Sequence, residues 1–202
     1  MTAINVAAYW PFFTNGELRR FDYRSADGSV PAHTSVYSYD IGSGSMLLNE
    51  YDEHQVWTDR WYYEYRPGFG VAEWRDDYPN CKKVVMTPPI GWGDQETIGG
   101  SYVNYPKMDM LRCWPPAWSK GIQIVAYEKL LPTFVNSCGS YSNVLQFTYL
   151  QGWSGKPATG ARYWAAAGIG PVSLQWIAQD PKDVSKPLIE TARMDAQISS
   201  VG

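Results

Sequence analysis

Two glutamates, Glu64 and Glu73, flank a glycine-rich turn at residues 68–70. Glycoside hydrolysis uses two carboxyl groups, one of which keeps its proton because an aromatic neighbour desolvates it. If the turn joins two strands of a hairpin, the two glutamates can face each other, with Trp61 or Trp74 beside them. The pair is therefore the candidate for a glycosidase. The alternative, which we expect, is a solvated polar face with no groove between the two carboxylates.

Five tryptophans lie near polar residues at the expected ends of strands. Sugar rings stack their C–H faces on indole rings, while Asp, Asn, Gln and Glu neighbours bind the hydroxyl groups. This pattern predicts a glycan-binding surface made of Trp57, Trp61, Trp92, Trp118 and Trp153. The alternative for each of them is packing in the core, although ten Trp are many for the interior of 202 residues.

Other catalytic and metal chemistry has little support in the sequence. The chain has two histidines, His33 and His54, and neither residues 42–45 nor residues 152–155 match the nucleophile elbow. Asp52-Glu53-His54 has metal-ligand residue types, but neighbours in a strand point to opposite faces, so we expect a solvated turn. No metal, no cofactor and no catalytic triad are predicted.

The composition of the chain bears on its binding partners and its location. The net charge of -3 does not favour binding to the negatively charged backbone of nucleic acid. No apolar run is long enough to span a membrane. An aromatic content of 15% with 18% charged residues is typical of exported β-proteins, so we expect a periplasmic or secreted protein, although no signal peptide is visible. The three cysteines allow a Cys113–Cys138 disulfide or three reduced thiols.

Apolar and polar residues alternate with the period of strands along most of the chain. Residues 61–65, 122–126, 144–149 and 172–178 all show it, and turn signals such as Asn15-Gly16 separate such runs. The pattern predicts a mainly antiparallel β fold. A short C-terminal helix is also predicted, with Ser185 as its cap and Leu188, Ala192 and Ala196 on one stripe.

The spacing of several residues suggests an internal duplication. Trp10 and Trp114 each precede a Tyr by thirteen residues, and Gly68-Phe69-Gly70 matches Gly168-Ile169-Gly170. We therefore expect two similar β modules packed together. The boundaries are a first repeat at 1–77, an irregular Pro- and Gly-rich connection at 78–112, a second repeat at 113–180 and a tail at 181–202.

Tyr9-Trp10-Pro11 leading to a Tyr strand, and a Tyr strand ending in Gly-apolar-Gly, resemble a pattern of exported bacterial proteins and lipoproteins of unknown function. The resemblance covers about forty residues in each copy. It implies an antiparallel sheet curved into an open half-barrel and an envelope location. It implies no catalytic residues.

These observations favour a non-enzymatic binding protein whose ligand is a glycan. The first alternative is a carrier of a lipid or other apolar ligand, which would need a closed cavity lined by residues such as Leu145, Phe147, Leu174 and Trp176. The second alternative is the glycosidase described above. The sequence does not indicate the oligomeric state.

Overall fold

Most of the chain folds into antiparallel strands. The structure is a computed structural model that describes residues 2–10, 17–42, 44–66, 70–79, 81–93, 95–111, 117–153, 157–178 and 189–201. A short 3-10 helix spans Val6–Tyr9. The strands are β1 (Ala3–Ile4), β2 (Leu18–Ser25), β3 (His33–Asp40), β4 (Ser45–Tyr51), β5 (Trp57–Arg66), β6 (Gly70–Tyr78), β7 (Cys81–Trp92), β8 (Glu96–Thr97), β9 (Ser101–Asn104), β10 (Lys107–Met110), β11 (Ala117–Asn136), β12 (Gly139–Trp153), β13 (Thr159–Ala166), β14 (Gly170–Ala178), β15 (Ile189–Glu190) and β16 (Met194–Val201).

One large sheet curves until it closes into a ring. Its order is β10-β7-β6-β5-β4-β3-β2-β16-β14-β13-β12-β11, and β11 pairs in turn with β10. The early strand β2 and the late strand β16 are joined by a continuous ladder from Leu18↔Val201 to Ser25↔Met194. The predicted mainly antiparallel β fold is confirmed. The half-barrel expected from the resemblance is instead a closed ring, whose side chains alternate between the interior and the outer face.

The N-terminal segment closes one end of the ring. The carbonyl of Ala8 accepts a hydrogen bond from the backbone N–H of Gly168 at 2.8 Å, and the Tyr9 hydroxyl donates to Asn143 at 2.9 Å. These bonds place Trp10, which is 6% exposed, inside the ring. There its indole packs on inner-face aromatic rings: Tyr63, Trp92 and Phe147. We call this closed end the floor.

The β11–β12 hairpin extends past the floor, and its tip lies against β14 and β16. Asn136 Nδ2 donates to the Val172 carbonyl at 2.9 Å and to Ser173 Oγ at 3.1 Å. The backbone N–H of Ser137 donates to Asp195 Oδ2 at 2.9 Å. The ladder between β14 and β16 consists of two residue pairs. The hydrogen bonds from the hairpin tip therefore add contacts between these two strands where their own pairing is short.

The segment 78–112, which we expected to be an irregular connection, contains β7 to β10 and closes the ring. Its apolar side chains alternate into the interior, where Val84, Met86 and Met108 are at most 2% exposed. Residues 88–89 are prolines, which cannot donate to a ladder, and they lie between the two stretches of β7 that pair with β6. Strand periodicity is therefore the better guide here than Pro and Gly content.

The predicted C-terminal helix is wrong at Ala196, which lies in β16. Met194 and Ala196 are both fully buried, because strand alternation sends them into the interior while β2 supplies hydrogen-bond partners. Ala192 precedes the strand. Ser185 and Leu188 lie outside the described residues.

The internal duplication is not confirmed. The strands of both halves join one sheet instead of forming two packed modules. The β5–β6 and β13–β14 hairpins do share a left-handed glycine, with φ of 100° at Gly70 and 108° at Gly170. However, Trp74 packs on Tyr62, whereas Trp176 lines the interior. Trp114 and Gly68, two of the residues needed for a superposition, lie outside the described residues.

Candidate functional site

A cavity of about 800 Å³ lies inside the ring. Trp10 lines its floor. Pro157, Thr159 and Thr191 line its other end and are exposed, so the cavity meets the surface there. We call this open end the mouth. Binding sites for small molecules have volumes of roughly 300–1,000 Å³, so the cavity is large enough for a drug-sized ligand.

A histidine–glutamate pair lies on the cavity wall formed by β3 and β4. His33 Nε2 forms an ion pair with the Glu50 carboxylate, and Ser35 Oγ lies 3.1 Å from Glu50 Oε2, to which it can donate. Burial lowers the pKa of His33, but the charge of Glu50 and its hydrogen bond outweigh that effect, so the net pKa is raised. The His33 ring also meets Trp176 edge to face at 5.4 Å, which fixes its orientation.

Asp59 on β5 lies directly beside this pair. The β4–β5 register places it opposite Glu50, and both side chains line the cavity. Its Oδ1 atom is buried and has no hydrogen-bond partner among the described residues. Burial, and next the charge of Glu50, raise the pKa of Asp59 to about 8. The carboxyl group of Asp59 therefore keeps its proton at neutral pH.

Two more acids lie deeper on the same side of the ring. Glu73 and Asp76 on β6 are both 0% exposed. Burial comes first and neighbouring acids second in raising both pKa values well above their ordinary range. Tyr149 Oη lies 3.2 Å from Glu73 Oε2 and 2.9 Å from Gln151 Oε1. The Tyr149 hydroxyl, which has one proton, can donate to either of these two oxygens. We call Glu50, Asp59, Glu73 and Asp76 the acidic wall.

The opposite side of the cavity is apolar and aromatic. Tyr163 on β13 and Leu174 and Trp176 on β14 line it. Of the apolar residues that we predicted to line a carrier cavity, Leu174 and Trp176 do so, whereas Leu145 and Phe147 are buried in the surrounding core. No Lys or Arg lines the described part of the cavity.

The five predicted glycan-binding tryptophans do not form one surface. Trp61 lines the cavity, and Trp57 is half-buried with the Arg60 guanidinium 5.9 Å from its ring. The open face expected for Trp92 is wrong: this residue is 0% exposed, because it faces inward and packs on Trp10. The side chains of Trp118 and Trp153 lie outside the described residues.

The carboxylate pair proposed for a glycosidase is not brought together. Glu64 pairs with Ala72, and Glu73 pairs with Tyr63, so the two glutamates lie on opposite faces of the sheet. The physical reason is the length of the turn. Three residues separate the paired residues Arg66 and Gly70, and with this register the side chains at positions 64 and 73 point to opposite faces of the sheet. The expected solvation is also wrong for Glu73, which is fully buried.

The remaining candidates have structural roles. Asp52 Oδ1 accepts hydrogen bonds from the backbone N–H groups of His54 and Val56, both at 2.9 Å, and the His54 side chain is 77% exposed. Within the described residues, no three His, Cys, Asp or Glu side chains are grouped to hold a metal ion. Cys138 is an exposed free thiol, and Cys113 lies outside the described residues.

Sequence reasoning did not assign His33, Glu50 and Asp59 to one site, although Asp59 stands beside the candidate Trp57 and Trp61. A signal was present for Asp59. It lies two residues before Trp61 and four before Tyr63, and alternate residues of a strand point to the same face, so Asp59 points inward with them. A carboxylate on the apolar face of a strand is unusual and marks a site. His33 and Glu50 carried no comparable signal, since their contact depends on the β3–β4 register.

Comparisons with protein-family models, with curated proteins and with solved structures gave no match. In the part of the chain that the structure describes, no helix has the length and apolar character needed to cross a membrane. The case for function therefore rests on the cavity itself.

Proposed function

We propose that this chain binds a small, largely apolar ligand inside its ring. The observation that carries the proposal is the cavity, which has a floor at Trp10, a mouth at Thr159 and an aromatic wall at Tyr163 and Trp176. Binding sites of small molecules are typically concave and mostly apolar, with a few polar groups that fix orientation. Here His33, Glu50 and Asp59 supply those groups.

A fluorescent apolar probe tests the proposal. N-phenyl-1-naphthylamine, which brightens in apolar surroundings, should bind at one site per chain. Leu174→Trp places a large ring in the cavity and should weaken probe binding at least tenfold. The matched control is Val135→Trp, because Val135 is 65% exposed and does not line the cavity, so binding should be unchanged.

Two results would contradict this function. One is a folded wild-type protein that does not brighten the probe at any concentration in its soluble range. The other is equal probe affinity in Leu174→Trp and Val135→Trp, with both variants showing a cooperative thermal transition, because the probe would then lie outside the ring.

A second candidate is a glycan reader that uses the cavity for a single sugar ring. Trp61 favours it, since it lines the cavity together with Asp59 and Gln151, whose polar atoms can bind hydroxyl groups. Titration with a panel of monosaccharides tests it, and Trp61→Ala should weaken binding by roughly 1–3 kcal/mol, by analogy with stacking on other aromatic platforms. A panel without any binder would remove this candidate.

We also propose that the protein works outside the cytoplasm. Its many aromatic residues and few charges support this location. Immunodetection in the periplasmic and culture-medium fractions of the source cells tests it, and a signal confined to the cytosol would exclude it.

A further inference from the structure

We propose that the cavity ligand is an organic cation, with an ammonium group beside Asp59 and Glu50 and an apolar body against the aromatic wall. This inference rests on the proposed function, because it names the ligand class of the same cavity. It follows from the charges that the ring encloses and from the groups that face them.

The acidic wall has more acids than cations. Asp59 faces Glu50 from β4 and lies beside Tyr78 on β6, and both of these line the cavity with it. His33, the nearby base, is already engaged by Glu50. Arg60, the next residue along β5, turns away and donates to Asn49 at 2.6 Å. Asp59 therefore has no Lys or Arg partner among the described lining residues, and a cation in the cavity would supply a positive partner for its carboxylate form.

Buried acid oxygens without partners point the same way. Glu73 is 0% exposed, lies on the inner face and has an Oε1 atom without a hydrogen-bond donor among the described residues. Oδ1 of Asp59 is in the same state, and the Asp59 residue lines the cavity, whereas Glu73 lies behind the lining. Leaving such groups unpaired is unfavourable, so a cavity ligand that neutralises Asp59 gains affinity.

The aromatic lining suits an ammonium group and its apolar body. Trp61 lies on the acid side of the cavity, and Trp176 and Tyr163 lie on the other side. Indole and phenol faces attract cations, and the attraction grows when the cation is desolvated. An anion such as a fatty-acid carboxylate would meet Glu50 without a free positive group, so the same cavity disfavours it.

Binding of a cation should be coupled to proton release. Asp59 interacts with Glu50 on β4 and with Glu73, Asp76, Asp77 and Tyr78 on β6, while His33 and Tyr149 line the same cavity. Its carboxyl group is protonated at pH 7, because its pKa is about 8. A bound ammonium favours the carboxylate, so the proton leaves on binding. Affinity should therefore rise by up to about tenfold per pH unit below pH 8 and level off above it.

Three probes of similar shape separate charge from apolar contact. Benzyltrimethylammonium carries a permanent positive charge, neopentylbenzene is its neutral isostere, and phenylacetate is an anion of similar size. Calorimetry should give at least tenfold tighter binding of benzyltrimethylammonium than of neopentylbenzene at pH 8, with phenylacetate weakest. At pH 7, the binding heats in phosphate and in Tris should differ by the difference between the ionisation enthalpies of the two buffers, for about one proton released per ligand bound.

Asp59→Asn is the decisive variant, and Glu64→Gln, on the outer face, is its control. Asp59→Asn should keep its neopentylbenzene affinity but lose the preference for the cation and the proton release, whereas Glu64→Gln should retain both. Equal affinity for the cation and its neutral isostere would overturn this inference and leave the proposed function standing. Failure of all three probes, and of N-phenyl-1-naphthylamine, would overturn both. A cation preference that survives in Asp59→Asn would remove Asp59 from the site.

Discussion

Two groups of carboxylates lie on the two faces of the same sheet and differ in how they are satisfied. On the outer face, Glu128 contacts Gln146, Thr148 and Arg162, and Arg162 also bonds Glu190 at 2.7 Å. We call these five residues the outer network. Burial alone would raise the pKa of Glu128, but its donors outweigh that effect and lower it.

The acidic wall on the inner face has the opposite character. Three of its oxygens lack donors among the described residues, and burial together with neighbouring acids raises the pKa of Asp59 to about 8. The sequence alone does not distinguish the acids of the outer network from those of the acidic wall, since both stand among aromatic and polar residues. The acids of the outer network stabilise the fold through hydrogen bonds and ion pairs within the chain. Three oxygens of the inner acids lack such partners among the described residues, and Asp59, which lines the cavity, is available to a ligand.

The largest expected effect is on the pH dependence of stability. Asp59, Glu73 and Asp76 have raised pKa values in the folded chain. Above the ordinary pKa near 4 the unfolded chain has lost these protons and the folded chain keeps them, so stability should fall as pH rises from 5 to 8.5. Each retained proton contributes up to about 1.4 kcal/mol per pH unit. Urea denaturation across this range measures the slope.

The control for this slope is the double variant Asp59→Asn, Glu73→Gln, in which the fall should be much smaller. A wild-type stability that rises steadily from pH 5 to 8.5 would show that the inner acids are ionised and satisfied like the outer ones.

A matched pair of amide substitutions compares the two faces at one pH. Glu128→Gln removes charge-assisted hydrogen bonds and should reduce the free energy of unfolding by about 1.5–3 kcal/mol at pH 7. Glu73→Gln keeps an oxygen for Tyr149 and removes an acid from a crowded wall, so stability should stay within about 0.5 kcal/mol of wild type or increase. Equal losses would erase the distinction between the two groups.

Removing the base of the outer network should cost less and depend on pH in the opposite direction. Arg162→Met should destabilise the chain by about 1–2 kcal/mol at pH 7, since the ion pairs are partly exposed. The lowered pKa of Glu128 means that its contribution is present above pH 4.5 and is lost as pH falls below that value. Denaturation at pH 3.5 should therefore show a smaller loss, and a larger loss there would refute the pairing.

The smallest effect is expected from Tyr149→Phe. The change removes the hydroxyl between Glu73 and Gln151 and should reduce stability by about 0.5–1.5 kcal/mol. Tyr62→Phe offers a comparison on the outer face, where the hydroxyl donates to Asp77 at 3.1 Å. If Tyr149 connects the cavity to Glu73, its removal, unlike that of Tyr62, should also change the affinity for benzyltrimethylammonium.

The sequence indicated the strands better than their pairing. Alternation at residues 61–65 and 172–178 predicted β5 and β14, and the inward parity of Trp61 extends to Asp59. The faces of Glu64 and Glu73 could not be predicted without the length of the turn between them. The contact of His33 with Glu50 depends on register across a hairpin, which local periodicity does not encode. A site assembled across strands is therefore visible in the sequence only in fragments.

The ladder between β2 and β16 has a consequence for how the chain acquires its cavity. Residues 18–25 pair with β3 on one side, but their partners on the other side are residues 194–201, and such distant pairings form slowly. Until then the edge of β2 is open to other chains, and its outward residues Arg20, Asp22 and Arg24 place charges along it, as gatekeepers against aggregation. The interior is not enclosed before β2 pairs with β16, so a ligand that needs walls on both sides selects chains in which this pairing has formed.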